Sequence, residues 1–285
     1  FGADHIYRMD PRQMVEQHIE SGTGLTVAGI RVPRSQASAF GVIDAGADNK
    51  IKQFLEKPPE PPGLPDDPDA SFASMGNYIF TTDALIEALT ADAENDSSRH
   101  DMGGDIIPSF VSRGEAQVYD FTANEVPGST ERDRAYWRDV GTLDAYHEAH
   151  MDLVSADPVF NLYNLDWPIW TYPVQMPGAK FTTNGVSLDS IVSPGCIVAG
   201  GSIETSVLSP NVQVAENAKV DQSVILSHTS IGRNAVIHRA ILDKHVTVQE
   251  GAKIGVDSEI DQERGFYLSE GGITVVPKGF TVSAT

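Results

Sequence analysis

Three stretches of the second half of the chain repeat at a fixed step. Ile203-Glu204-Thr205-Ser206-Val207-Leu208, Val220-Asp221-Gln222-Ser223-Val224-Ile225 and Ile237-His238-Arg239-Ala240-Ile241-Leu242 follow one another at 17-residue intervals. Two rows of β-branched positions obey the same step: Ile197, Val214, Ile231 and Val248, and Ile203, Val220, Ile237 and Ile254. Within each step lies a six-residue spacing, Val214 to Val220 and Ile231 to Ile237, with turn formers such as Pro210-Asn211, Glu216-Asn217 and Glu250-Gly251 between. A globular sheet gives no reason for such regularity. A coil of three short strands per turn does, because every coil buries the same aliphatic position above and below its neighbours. The pattern predicts a left-handed parallel β-helix of hexapeptide repeats over residues 186–285.

The first half has a different grammar. Leu25–Val32 reads as a strand closed by Pro33, and Phe40–Ile43 and Ile51–Leu55 flank a Gly/Asp/Asn-rich segment as a hairpin. Ser74–Phe80 reads as an apolar strand buried on both faces. Thr82 and Asp83 open a helix with Leu85, Ile86 and Leu89 inward. A second helix follows Asp105, with Ile106, Ile107, Phe110 and Val111 on one side. A third starts near Thr142, with Leu143, Tyr146 and Leu153 inward. Alternation of strands and helices predicts an α/β layer domain over residues 1–155, with 156–185 as linker. Residues 58–68 hold six of the seventeen prolines, which predicts a long, stiff loop that is either functional or disordered.

Composition narrows the functions. Forty acidic against twenty basic residues leave a net charge of −20, the wrong sign for a nucleic-acid or anionic-membrane partner. The lone Cys196 excludes an internal disulfide and any multi-cysteine metal site. No apolar run reaches the length of a membrane span, and no basic-then-apolar leader is legible in the first residues. The expectation is a soluble, cytoplasmic protein.

Five motifs then occur in order: Gly2-Ala3-Asp4-His5-Ile6-Tyr7-Arg8-Met9-Asp10, Phe54-Leu55-Glu56-Lys57-Pro58, Ser74-Met75-Gly76, His100-Asp101-Met102-Gly103-Gly104-Asp105 and Tyr136-Trp137-Arg138-Asp139-Val140-Gly141-Thr142. With Asn161-Leu162-Tyr163, Trp167-Pro168-Ile169-Trp170-Thr171-Tyr172 and the repeat domain, the chain closely resembles the glucose-1-phosphate adenylyltransferases of bacterial glycogen synthesis. The fold so implied is a Rossmann-like nucleotidyltransferase domain followed by the β-helix. The family's Gly-rich nucleotide loop and first strands have no counterpart here. The chain is therefore expected to be a fragment, inactive alone, that holds the sugar-phosphate half of the site.

The resemblance implies the reaction ATP + α-D-glucose 1-phosphate giving ADP-glucose and pyrophosphate, with Mg²⁺ as cofactor. Asp4 and Asp139 match the family's metal-binding, catalytic aspartates. Lys57 matches the lysine on the phosphate of glucose 1-phosphate, and Glu56, Ser74, Asp101 and Trp137 match residues lining the sugar pocket. Met102 stands where an aromatic residue is common. Lys244, Lys278 and Arg239 match basic positions that bind a sugar-phosphate or glycolytic effector, and the family forms homotetramers. His5, His147 and His150 read as structural or exposed rather than as metal ligands. Two alternatives remain open. One is another sugar-1-phosphate nucleotidylyltransferase, for which His228, His238 and His245 would suggest an acyltransferase site in the β-helix. The other is a non-catalytic regulatory subunit of the same fold.

Overall fold

A computed structural model describes residues 1–172 and 174–284. The chain divides into two compact units, Phe1–Trp137 and Arg138–Thr285. The first opens with β1 (His5–Tyr7) and α1 (Pro11–Ser21), which Asp10 caps by accepting from the Arg12 amide at 3.0 Å. There follow β2 (Leu25–Pro33), β3 (Gly41–Ala45), β4 (Ile51–Glu56), β5 (Ala70–Phe80), α2 (Thr82–Ala93), α3 (Ile107–Ser112) and β6 (Ala116–Asp120). The five-stranded sheet has the order β4-β3-β5-β2-β6, with β2 and β6 parallel and the other pairs antiparallel. One face packs Met14 of α1 on Ala28, Ile30, Ala73 and Met75. The other packs Ala88 of α2 and Ile107 and Phe110 of α3 on Leu25, Val27, Ile43 and Val118. This is the layered α/β domain the alternation predicts.

Helix α2 buries a different stripe from the expected one. Ile86 and Leu89 are 58% and 45% exposed, and the sheet-facing row is Ala84 and Ala88. Two alanines four residues apart let the helix lie closer to the sheet than two leucines would. The proline-rich loop is neither free nor disordered. Leu64 is buried in the core, the Arg34 guanidinium donates to Pro61 O, and the Ser71 hydroxyl donates to Pro62 O. Strand β5 is not buried on both faces throughout: Ser74, Gly76 and Tyr78 are half-buried.

After β7 (Trp137–Asp139), which holds the boundary between the units, the second unit runs through α4 (Leu143–Leu153) into a parallel solenoid. Its three faces stack Val198, Val214, Ile231, Val248 and Val282; Ile203, Val220, Ile237 and Ile254; and Leu208, Ile225, Leu242 and Val276. All of these side chains point into one core. Each corner repeats a left-handed residue. One column is Asn211, His228, His245 and Gly279, at φ between 61° and 73°.

One row of the repeat is corrected. The 17-residue step pairs Ile197 with Val214, but the strands pair Val198 with Val214 and leave Ile197 opposite Gln213, 40% exposed. The corner Gly200-Gly201 is one residue shorter than its counterpart in the next coil. Only glycine fits it, since a Cβ on Gly201 would lie 2.6 Å from a Val214 methyl. A one-residue slip turns every side chain of the strand over. Strands also begin earlier than residue 186, at Lys180–Thr182.

Helix α4 covers one solenoid face. Tyr146 and Met151 pack on Val224 and Ile241, whereas Leu143, expected inward, is 37% exposed. The His147 Nε2 lies 2.7 Å from Gln222 O, and Ser269 and Gly271 donate to the Asp144 carboxylate. Burial lowers the pKa of His147 below its ordinary value, in keeping with a structural imidazole.

Val220 and Ile237 face each other in successive coils at 1% and 0% exposure. Val220→Asp puts an unpaired charge into this dry stack and should cost about 3–5 kcal/mol. Calorimetry should show the transition of the solenoid moved well down, and an unchanged melting profile would contradict the register.

Candidate sugar-phosphate site

The site of the first unit is built around an irregularity in β5. Opposite β2, Tyr78 pairs with Val27 and Ser74 with Gly29, so Ala28 alone faces Met75, Gly76 and Asn77. Extra residues on one strand make a bulge, a device that re-aims side chains. Gly76 takes φ 68°, a conformation that costs other residues, and its amide lies 3.3 Å from the Ser74 Oγ. Ser74 and Tyr78 thereby reach the same place. The Tyr78 hydroxyl lies near Ser74 and feels the carboxylates of Glu56 and Asp101. Burial first, and the two carboxylates with it, push its pKa up against the opposing pull of Ser74. Tyr78 is therefore a neutral hydroxyl in the neighbourhood of two carboxylates.

Glycines leave space around those carboxylates. A Cβ on Gly103 would sit 3.5 Å from both Asp101 Oδ1 and Glu56 Oε2, and one on Gly41 3.3 Å from Glu56 Oε2. Asp101 also caps the π-helical turn Met102–Ile106, with its Oδ1 accepting from the Gly104 amide at 2.6 Å. Met102, at the position expected to be aromatic, packs on the domain core. Hydroxyl, phenol and two carboxylates together form a set of donors and acceptors suited to a polyhydroxylated ligand.

Lys57 follows β4 directly. Its φ is 46°, in the left-handed region, and its amide donates to Phe40 O at 3.1 Å. Such a backbone is held only where its surroundings fix it, and here Phe40 and the two following prolines do so. Phe40 packs edge-on to Trp137 at 5.4 Å between ring centres, and Trp137 lies 5.1 Å from the His5 ring. The His5 Nε2 is 3.4 Å from Asp4 Oδ1, and the Asp4 side chain is 62% exposed. Glu56, Ser74 and Asp101 are thus gathered round Tyr78. Lys57, Trp137 and Asp4 are linked through Phe40 and His5. Sequence reasoning passed over Tyr78. Its signal was present, a polar-ended aromatic four residues after Ser74, but the bulge that aligns the two is invisible to a periodicity count.

The remaining candidates lie in the second unit. The Asp139 Oδ1 accepts from the Gly141 amide at 2.9 Å, which fixes the carboxylate at the end of β7. Lys244 and Lys278 are exposed on one solenoid corner, where the Gly279 amide donates to Lys244 O at 2.9 Å. The His228 and His245 rings stack there at 4.9 Å. Arg239 sits at another corner and donates to Gly271 O at 3.1 Å. His238 pairs with Asp221 at 2.8 Å. Among the described residues, no helix is long and apolar enough to cross a membrane.

Family models match both parts of the chain: a nucleotidyl transferase over residues 1–156 and a GlmU-like C-terminal hexapeptide domain over residues 173–276. The glucose-1-phosphate adenylyltransferase of Cutibacterium acnes is 61% identical over 282 residues, which cover 99% of this chain and 69% of the relative. Those of Corynebacterium kroppenstedtii and Parafrankia sp. are 62% and 59% identical, covering 98% and 99% of this chain and 68% and 70% of the relatives. At that identity, along almost the whole sequence, the chain belongs to the glucose-1-phosphate adenylyltransferase family.

Proposed function

We propose that the protein transfers an adenylyl group from ATP to α-D-glucose 1-phosphate, giving ADP-glucose, the glucosyl donor for α-glucan synthesis, and pyrophosphate. The observation that carries the sugar side is the convergence of Ser74, Tyr78, Glu56 and Asp101 beside the fixed Lys57. A phosphate oxygen of glucose 1-phosphate attacks the α-phosphorus of ATP, the bond to the β-phosphate oxygen breaks, and pyrophosphate leaves with the electron pair. No proton need move at the sugar. The protein's task is to align two anions and offset their charge.

Lys57 is assigned to the phosphate of glucose 1-phosphate, Glu56, Ser74, Asp101 and Tyr78 to its hydroxyls, and Trp137 to the wall. Asp4 and Asp139 are assigned to Mg²⁺. Their chemistry suits it, since one is an exposed carboxylate and the other is oriented by a backbone amide, and hard oxygen ligands are what this ion takes. Bound there, Mg²⁺ would neutralise phosphate charge. Retention of Asp4, Lys57 and Asp139 favours a catalytic chain over a regulatory one. We further propose a cytoplasmic homotetramer, regulated by a sugar-phosphate or glycolytic effector at Lys244 and Lys278, with Arg239 as a more distant contributor.

Kinetics of the complete protein separate these roles. Lys57→Gln should raise the KM for glucose 1-phosphate about tenfold or more and leave that for ATP nearly unchanged, because it removes one charged contact to one substrate. Asp139→Asn should act mainly on kcat. Equal damage to both KM values by Lys57→Gln would contradict its assignment. Tyr78→Phe should cost roughly tenfold in affinity for glucose 1-phosphate, since it removes a hydroxyl assigned to the sugar. Unchanged affinity would remove Tyr78 from the site.

A further inference from the structure

His5 has no part in the roles assigned above, yet it meets two residues that do and packs against the bulge that sets a third. Its side chain is 13% exposed, and its Nε2 lies 3.4 Å from Asp4 Oδ1. Its ring packs on Trp137 at 5.1 Å and 50° between planes. On a further side lies the β5 bulge: a Cβ on Gly76 would come 3.1 Å from His5 Cε1, and the Gly76 amide is the one that meets Ser74 Oγ.

A histidine kept only for packing looks different in this protein. The imidazole of His18 has both nitrogens engaged, Nδ1 with Thr26 Oγ1 at 2.8 Å and Nε2 with Thr81 Oγ1 at 3.2 Å. In His5 the Nδ1 is buried with no partner among the described residues. A buried polar atom left unsatisfied is costly, and a leucine of similar size would avoid that cost. What a leucine would lack is the N–H beside the carboxylate and the flat face against the indole. A carboxylate facing Nε2 favours the proton on that nitrogen.

We infer that His5 is a positioning residue that couples the Asp4 carboxylate to the Trp137 wall of the sugar pocket. Its Nε2–H orients Asp4 Oδ1 and leaves the second oxygen free for a cation, the kind of outer contact that tunes a metal carboxylate. Its ring face sets the tilt of Trp137. The inference rests on the roles proposed for Asp4 and Trp137, and it predicts that the two contacts fail separately.

Two substitutions on the complete protein test it. His5→Phe keeps the ring and removes the N–H, so the Mg²⁺ concentration for half-maximal rate should rise about tenfold. Its dissociation constant for glucose 1-phosphate, read by calorimetry, should stay within about twofold of the parent's. His5→Gln keeps an N–H and removes the ring, so the pattern should invert: weaker sugar-phosphate binding, roughly fivefold, with the Mg²⁺ response retained. His5→Asn takes its place if His5→Gln does not fold. Parallel losses in both readouts, in step with a lowered melting temperature, would make His5 a packing residue and overturn the inference. No change in either readout would overturn it equally. A parent protein that binds no glucose 1-phosphate would remove the reading beneath it, a result distinct from either of these.

Discussion

The candidate site hangs on the bulge at Met75–Asn77. A regular β5 would alternate its side chains evenly against β2. The bulge instead lets Ala28 face Met75, Gly76 and Asn77, with Gly76 in the left-handed conformation. From that distortion follow the approach of Tyr78 to Ser74, in the field of Glu56 and Asp101, and the seat for the His5 ring. Glycine holds that conformation without the penalty a side chain would bring. Here Met75, fully buried beneath the bulge, anchors it from the core side.

Charge sets a second condition. A chain at −20 repels the two anions its reaction requires, so attraction must come from single groups and a bound cation rather than from the general field. That explains why Lys57 is fixed so firmly. Its amide is tied to Phe40, its backbone is left-handed, and the loop after it is stapled by Leu64, Arg34 and Ser71. The prolines make a brace, not a flap. The solenoid is the rigid counterpart in the other unit, where exposed Lys244 and Lys278 share a corner that inward-facing aliphatics hold in register.

Much of this was legible in the sequence, for reasons that differ by element. The β-helix announces itself because stacking demands the same residue type at each step, and Val220 over Ile237 follows directly. The step fails at Ile197 because a corner built from Gly200-Gly201 can lose one residue without breaking the stack, and spacing alone does not see that. Helix α1 carries its signals at both ends, Asp10-Pro11 and Gly22. Its apolar stripe is too thin to call attention, with Val15 and Ile19 exposed and Met14 alone deep in the core. The motif residues Glu56, Lys57, Ser74 and Asp101 were found by resemblance. Tyr78 was not, because its role depends on the bulge. His5 reads as structural or exposed in the sequence, where the neighbours of its ring are not visible.

The account's central claim is that Ser74, Tyr78, Glu56 and Asp101 read the hydroxyls of glucose 1-phosphate while Lys57 holds its phosphate. A crystal structure with that ligand bound tests it most directly. The account predicts sugar density within hydrogen-bonding distance of the Tyr78 hydroxyl and of both carboxylates, with the phosphate at the Lys57 ammonium. Density that places the sugar away from the bulge, or that turns the phosphate toward Glu56 and Asp101, would contradict it.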